Sequence, residues 1–251
     1  MMLKRIRKII LAVCFFIFCI SVLFLRMILS SDGGDISRFQ MKNREDGLEN
    51  PIDFKKLQEI NPDIYAWIQV PGTRINYPVA SVTGTEDEDF YLNHNYRKIY
   101  EFAGTIYSHK ENARDLSDPV TILYGHNMIN GSMFAGVKKF ADKEFFENHD
   151  TVYVFTPEQR LTYRIISYYE SDDKDILKHY DYFHNQDLFR EYLKVIRTVR
   201  NGYVRKEVAV RTEDRILTLS TCSSLSTRRR ILQTVLIESI LWEKGLCVNT
   251  K

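Results

Sequence analysis

The sequence predicts an all-β-dominated domain, an antiparallel barrel or closed sandwich, that follows one N-terminal apolar helix. Beyond residue 50, about eight short runs rich in β-branched and aromatic residues are separated by turn residues. Few stretches of that region show the periodicity of a helix. Residues 9–25, near the N-terminus, carry no charge at all. Together these observations favour one β-rich domain behind a membrane segment.

The first 29 residues have the pattern of a membrane anchor. Residues 1–8 form a basic tail, and residues 9–29 are predicted to form a transmembrane helix that is interrupted only by Arg26. Because the positive charge flanks the N-terminal side, we expect a cytoplasmic N-terminus and a single pass through the cell membrane, with the remaining chain extracellular. A cleaved signal peptide is the alternative, although no Ala-x-Ala cleavage site follows.

The charges and cysteines exclude two classes of protein. The formal net charge is +2, but the basic residues of the anchor supply it, and the remainder is net acidic. The domain therefore shows no electrostatic footprint for nucleic acid. Cys14 and Cys19 lie in the anchor, which leaves Cys222 and Cys247 outside and too few pairs for a disulfide framework. A Cys222–Cys247 bridge is conceivable, but we favour a free thiol at residue 222.

Residues 30–50 are predicted to be an extracellular linker, and residues 51–251 the folded domain. The linker is rich in Ser, Asp, Gly and charge, which is typical of a tether. A short helix over residues 53–60 has Asp53 as its candidate N-cap. The acidic run 86–89 lacks the ligand spacing of an EF-hand loop, so a solvated surface is the better interpretation.

Alternation and turn residues place the other elements of the domain. The predicted strands cover residues 64–70, 74–80, 103–107, 120–124, 151–155, 161–169, 204–210, 215–221 and 231–237. One or two short packing helices are expected within residues 131–149. A longer helix over residues 186–200 begins after Asn185 and ends before Asn201-Gly202. Its apolar stripe consists of Leu188, Tyr192, Ile196 and Val199.

The run Ile216–Cys222 is a predicted buried strand that ends on a cysteine. Because side chains alternate along a strand, Leu217 and Leu219 lie on one face, and Thr218, Ser220 and Cys222 lie on the other. The first face suits a core, and the second suits the floor of a cleft. A lone cysteine in a strand is more often an inert core residue. Other parts of the chain must therefore support a reactive thiol.

Two further segments supply that support. His126 ends a predicted strand, directly after Gly125 in the run Tyr-Gly-His-Asn-Met. Arg228, Arg229 and Arg230 lead into the β-rich run 231–237. If these three strands share a sheet, then a cysteine, a histidine and an arginine meet at one cleft. No carboxylate or amide that would orient the histidine is evident in the sequence.

At this point the chain resembles the sortases, the transpeptidases that join surface proteins to Gram-positive cell envelopes. The resemblance is carried by Leu-Ser-Thr-Cys after one strand, Tyr-Gly-His-Asn-Met after an earlier one, and an arginine that opens the next. It is strongest to class B and extends over residues 52–237. It implies an eight-stranded sortase-type β-barrel with an N-terminal helix and a long helix inserted before the last strands.

The resemblance and the chemistry together assign candidate catalytic residues. Cys222 is the nucleophile, because a thiolate stabilised by a neighbouring imidazolium can attack an amide carbonyl. His126 is the acid/base that protonates the leaving amine. An arginine clamps the carbonyl oxygen as negative charge develops on it. Ser220 shares the face of Cys222 and is a weak candidate for a substrate contact.

Three arginines compete for the last role. The family pattern is an arginine, a variable residue and two aliphatic residues, which fits Arg229 before Ile231 and Leu232. Arg230 is the alternative and Arg228 a distant third. For His109, which lies in a polar loop, a surface role is favoured over a substrate contact. The histidines show no metal-site spacing, and no cofactor is expected.

The implied function is a membrane-anchored cysteine transpeptidase. Its partners are surface proteins with a C-terminal sorting signal, which it cleaves through a thioacyl intermediate. The acceptor is an amine of the peptidoglycan cross-bridge or of a pilin. Two alternatives remain open: a cysteine endopeptidase that releases surface proteins by hydrolysis, and a non-catalytic surface binding module.

Overall fold

The computed structural model describes residues 2–30, 36–41, 49–172, 175–222, 228–242 and 247–248. The α-helices are α1 Met2–Ser30, α2 Phe54–Ile60, α3 Lys143–Asn148, α4 Ile176–His179 and α5 Gln186–Arg197. Short 3₁₀ helices cover Ser37–Phe39, Phe90–Leu92, Phe134–Ala141 and Asp181–Phe183. The strands are β1 Ile64–Gln69, β2 Asn76–Ala80, β3 Ile106–Tyr107, β4 Val120–His126, β5 Thr151–Phe155, β6 Gln159–Asp172, β7 Gly202–Val204, β8 Ile216–Cys222, β9 Arg228–Leu241 and β10 Cys247–Val248.

Eight strands close into a barrel. They follow the order β9-β8-β4-β3-β2-β1-β5-β6, and pairing between β6 and β9 completes the circle. Strand β7 adds to β6, and β10 adds to β9. The predicted eight-stranded barrel with an N-terminal helix and a long helix before the last strands is thus confirmed. This closure leaves the ends of β4, β8 and β9 as neighbours.

The prediction that the barrel is antiparallel throughout is wrong for two strand pairs. Strand β2 pairs with β3, and β4 with β8, in parallel. Parallel neighbours need a crossover rather than a tight turn, and the long connections after β2 and β4 provide it. Alternation within a strand does not depend on the direction of its neighbour, so the sequence pattern could not show this.

The two faces of the sheet contact different apolar clusters. Leu123, Leu217 and Leu219 belong to the cluster that fills the barrel. Leu57 of α2 and Tyr192 of α5 belong to a second cluster, on the outer side. The face of β8 with Leu217 and Leu219 is therefore the core face, as predicted. The opposite face of β8 lies beneath α5.

Helix α5 begins where the sequence predicts, but its end and its apolar stripe differ from the prediction. The side chain of Asn185 accepts a hydrogen bond from Asp187 N, so the predicted N-cap is confirmed. The helix ends at Arg197, three residues before the predicted end. Its buried residues are Phe189, Tyr192, Leu193 and Ile196, so the true apolar stripe is rotated relative to the predicted one.

The bounds of β7 differ most from the predicted strands. It covers Gly202–Val204 instead of residues 204–210. The guanidinium of Arg197 explains the difference, because it donates to the carbonyls of Val208 at 2.7 Å and Lys206 at 3.1 Å. Those carbonyls are therefore bound to α5 and not to a strand ladder.

The residues before the barrel include a part that is packed on the domain. Phe39 is fully buried, and its ring lies edge-to-face with Tyr96 at 5.7 Å. Gln40 forms a bridge with Ile52. Residues 31–35 and 42–48 of the predicted linker lie outside the described residues. Residues 36–41, which lie between these two segments, contact the domain through the buried side chain of Phe39.

A buried polar network attaches α5 to the barrel and supports a stability prediction. Gln233 on β9 accepts hydrogen bonds from Tyr192 OH at 3.0 Å and Thr218 Oγ1 at 2.8 Å, and donates to Tyr169 OH at 3.0 Å. Gln233→Leu would leave these buried hydroxyls without that partner, so we expect a loss of about 1–3 kcal/mol of unfolding free energy. Urea denaturation of the variant and the parent chain measures this difference in unfolding free energy. The exposed Gln186→Leu is the control, and equal stabilities would contradict the prediction.

Candidate active site

The ends of β4 and β8 bring the predicted nucleophile and acid/base next to each other. The two strands pair in register from Val120↔Ile216 to His126↔Cys222. Neighbouring strands lie about 4.8 Å apart, so the backbones of His126 and Cys222 are adjacent. The side chain of Cys222 lies outside the part of the chain that the structure describes. Its placement therefore rests on the strand register.

The backbone also bears on the alternative Cys222–Cys247 disulfide. Cys247 pairs with Ile240, near the end of β9, whereas Ser220 pairs with Ile231 near its beginning. Most of the length of β9 thus separates the two cysteines. A disulfide needs Cα atoms within about 7 Å of each other. The strand pairing therefore favours a free thiol at residue 222.

The three arginines on β9 differ in the face that they occupy. The β8–β9 ladder runs to Ser220↔Ile231, and its continuation places Arg229 opposite Cys222 and Arg230 opposite Thr221. The hydrogen bond from Arg230 N to Thr221 Oγ1, at 2.9 Å, agrees with that register. Because successive side chains alternate, Arg229 shares the outer face with Cys222, and Arg230 does not.

Side-chain contacts separate the arginines in the same way. The guanidinium of Arg229 lies 5.9 Å from the ring centroid of Tyr124 on β4. Arg230 Nε lies 3.3 Å from Glu170 Oε1, and Arg228 Nη1 lies 3.8 Å from Glu170 Oε2. Arg228 and Arg230 thus form ion pairs with one carboxylate on β6. Arg229 contacts the strand that carries His126.

His126 is oriented by a backbone carbonyl. Its residue is 9% exposed, its ring stacks on Phe102 at 5.4 Å, and its Nε2 lies 2.8 Å from Leu92 O. A carbonyl oxygen only accepts hydrogen bonds, so Nε2 carries a proton. Burial lowers the pKa of His126, and the bond to Leu92 opposes this effect. The neutral imidazole is thus the Nε2–H form, with the lone pair on Nδ1.

Sequence reasoning missed this orienting group because a backbone carbonyl has no residue signature. Leu92 has an apolar side chain, so nothing at its position in the sequence indicates that its carbonyl bonds His126. Ser220 was a weak candidate for a substrate contact. It is 1% exposed and pairs with Tyr124 and Ile231, which favours a packing role.

The prediction of a surface role for His109 is wrong. The residue is 8% exposed, and its ring stacks on Tyr124 at 4.5 Å. His109 Nε2 lies 3.4 Å from Asp89 Oδ1. The hydrogen bond from His109 outweighs partial burial and, with Tyr107 and the charge of Arg229, holds the pKa of Asp89 below its ordinary value. The rings of Tyr107 and Tyr124, two and 15 residues away in sequence, both lie against His109.

One group of side chains has the spacing of a cation site. Glu88, His109 and Glu111 each offer a ligand atom within 4.8 Å of the others. Glu88 already forms an ion pair with Lys178 at 3.2 Å and lies 3.8 Å from His109 Nδ1. Glu88 and His109 are thus engaged by other groups of the protein, and Glu111 is exposed, so the cluster carries no argument for a metal. The solvated surface predicted for residues 86–89 is in part tied down by such pairs.

Comparison with known proteins decides the family. A family model described as the Sortase domain matches residues 68–237. The chain belongs to the sortase family. Sortase B of Listeria monocytogenes is 34% identical to it over 175 residues, which cover 68% of each chain. Sortase B of Staphylococcus aureus is 31% identical over 181 residues, which cover 71% of this chain and 72% of the relative.

Solved structures agree with the sequence comparison. The X-ray structure of Clostridium perfringens sortase B matches this sortase with a TM-score of 0.65 and 35% identity, over 73% of this chain and 99% of that chain. The resemblance to class B sortases inferred from the motifs is therefore confirmed. This sortase is a cysteine transpeptidase, and its fold is the barrel that the sequence predicts.

Proposed function

We propose that this sortase is a membrane-anchored enzyme that cleaves the C-terminal sorting motif of surface proteins and transfers them to an amine of the peptidoglycan cross-bridge or of a pilin. The register pair His126↔Cys222 carries the proposal, since it joins the two reactive groups that a cysteine transpeptidase requires. Arg229 on the same face supplies a positive charge beside them. We assign Cys222 as nucleophile, His126 as acid/base and Arg229 as the oxyanion clamp.

The first half-reaction forms a thioester. His126 Nδ1 accepts the thiol proton as Cys222 Sγ attacks the carbonyl carbon of the scissile amide. The guanidinium of Arg229 hydrogen-bonds the developing oxyanion and does not lose its proton. As the C–N bond breaks, the imidazolium gives its proton to the leaving amine. The acyl group remains on sulfur, and the C-terminal fragment departs.

The second half-reaction reverses these roles. The acceptor amine attacks the thioester carbonyl, and His126 accepts a proton from the attacking nitrogen. The C–S bond breaks, and the thiolate of Cys222 recovers a proton from the imidazolium. One amide is exchanged for another through an energy-rich thioester, so the reaction requires no nucleotide.

Helix α1 is proposed as the anchor. An 18-residue window within Arg5–Arg26 has a mean hydropathy of 2.8, and none of that window is buried within the protein. At about 1.5 Å per residue, a helix of this length matches a hydrocarbon core of about 30 Å. The basic residues that precede it favour a cytoplasmic N-terminus, which leaves the barrel outside. Anchoring would concentrate enzyme and membrane-bound substrate on one surface.

Transfer is expected to outcompete hydrolysis when an amine is supplied. The full chain in detergent is incubated with a peptide library, with and without a glycine-based amine, and products are identified by mass spectrometry. We expect cleavage at one motif and incorporation of the amine into the N-terminal product. If water remains the sole acceptor at saturating amine, the enzyme is a cysteine endopeptidase. If nothing is cleaved, a binding module becomes the better interpretation.

A further inference from the structure

The carbonyl of Leu92, which orients His126, lies in a segment whose successive carbonyls are all held by hydrogen bonds. The four carbonyls of residues 91–94 all accept hydrogen bonds. In chain order, their donors are Thr105 N at 2.9 Å, His126 Nε2 at 2.8 Å, Glu101 N at 3.0 Å and Thr105 Oγ1 at 3.0 Å. Residues 101–105 thus hold the carbonyls on both sides of Leu92, and the Leu92 carbonyl faces the imidazole.

Gly104 permits this arrangement. Its φ is +64°, a backbone conformation that residues other than glycine rarely adopt. A Cβ atom at this position would lie 2.4 Å from both Tyr91 O and Leu92 O. Any larger residue must therefore displace the backbone that carries the Leu92 carbonyl.

Tyr91 fixes the same backbone from the other side. Its side chain is fully buried, and its hydroxyl donates to Asp63 Oδ2 at 2.7 Å. Asn61 Nδ2 donates to the Tyr91 hydroxyl at 2.8 Å. Asp63 is itself fully buried and pairs with Lys98 Nζ at 2.7 Å. A hydrogen bond to a buried carboxylate is among the stronger kinds, so the position of residue 91 is well determined.

We propose that Tyr91 and Gly104 are positioning residues of this sortase, which fix the Leu92 carbonyl so that His126 presents Nδ1 to the thiol of Cys222. Neither residue touches the reacting atoms. Tyr91 acts through its bond to Asp63, and Gly104 acts through its close approach to the carbonyl. The inference rests on the proposed acid/base role of His126 and adds to it the part of the fold that selects the tautomer.

The variants Tyr91→Phe and Gly104→Ala test the proposal. The full chain in micelles, with ¹⁵N-labelled histidine and Cys222→Ala in every sample, is titrated by NMR to give the pKa and tautomer of His126. The carbonyl bond favours the imidazolium, so its weakening leaves burial unopposed. We expect the pKa of His126 to fall by about half a unit or more, and the Nδ1–H form to become detectable. Arg229, the charged residue that shares the face of His126, is unchanged throughout.

The matched control is Tyr65→Phe, which removes another buried phenol hydroxyl. Tyr65 OH donates to Ser108 Oγ at 2.9 Å. We expect a loss of stability that is smaller than that of Tyr91→Phe, because the partner is a neutral hydroxyl, and no shift in the pKa of His126. With Cys222 intact, Tyr91→Phe is expected to lower kcat/KM at neutral pH by about 3- to 10-fold while KM stays near its original value.

Three outcomes overturn the proposal. The pKa and tautomer of His126 could be unchanged in Tyr91→Phe, or they could shift equally in Tyr65→Phe. In Gly104→Ala, a folded protein with an unchanged imidazole would contradict it as well. Should Gly104→Ala not fold, Tyr91→Phe decides alone. Because the NMR readout does not depend on turnover, the positioning proposal can fail while the catalytic role of His126 stands, and the reverse.

Discussion

Cys222→Ala is expected to reduce transpeptidation by about four orders of magnitude or more, because no other group of the site can form the thioester. Incubation with a substrate peptide should yield a covalent acyl-enzyme for the parent chain and none for the variant. Intact-mass spectrometry of the protein, quenched in acid, measures this directly. The loss should appear in kcat, since substrate binding does not require the sulfur.

The chain supplies its own control for that experiment. Cys247 pairs with Ile240 near the end of β9, far along the strand from the proposed site. Cys247→Ala is therefore expected to retain activity and to form the acyl-enzyme at the normal rate. Loss of activity in Cys247→Ala, or an acyl adduct on Cys222→Ala, would show that the nucleophile has been assigned to the wrong residue.

Arg229→Ala is expected to lower kcat by about 10²- to 10³-fold, which is the usual effect of losing one donor to an oxyanion. Arg229 shares the outer face with His126, and its guanidinium lies 5.9 Å from the centre of the Tyr124 ring. KM should change little, because the interaction strengthens only as charge develops on the carbonyl oxygen. Steady-state kinetics with a peptide and an amine acceptor measure both constants.

Arg230→Ala is the matched control on the neighbouring position. Arg230 pairs with Glu170 on β6, and its side chain is 27% exposed. Loss of a partly exposed ion pair costs about 1 kcal/mol or less of stability. We therefore expect kcat to fall less than about 5-fold in Arg230→Ala. If Arg230→Ala is the more damaging variant, the clamp belongs to Arg230, and the strand register has misled the assignment. Arg229→Lys should recover only part of the activity, since an ammonium lacks the guanidinium fork.

Some elements followed from local pattern because their determinants lie within a few residues. Asp53 accepts the hydrogen bond from Lys56 N that starts α2, and Leu217 and Leu219 face the barrel core. Strand alternation and N-capping are short-range effects, so the sequence shows them. The motifs at Cys222 and His126 were sufficient to indicate the sortase family.

Other elements depended on contacts between distant segments. The parallel pairing of β4 with β8 places His126 beside Cys222, yet either strand has the same pattern in an antiparallel sheet. His109 was expected at the surface, and its burial depends on Tyr124. The apolar stripe of α5 differs from the predicted one because its position depends on how the helix packs against the outer face of β8 and β9. Periodicity alone is compatible with several neighbouring stripes.

The amino-acid sequence thus determined the family and most of the strands, and indicated the candidate catalytic residues, because short motifs and alternation are local properties. The orientation of His126 was decided by tertiary structure alone, because the group that it bonds is the main-chain carbonyl of Leu92. Every residue has such a carbonyl, and we infer that the packing around Gly104 and Tyr91 places this one against the imidazole. Among the three adjacent arginines, the family pattern already favoured Arg229, and the strand register adds that Arg229 lies on the same face of the sheet as Cys222.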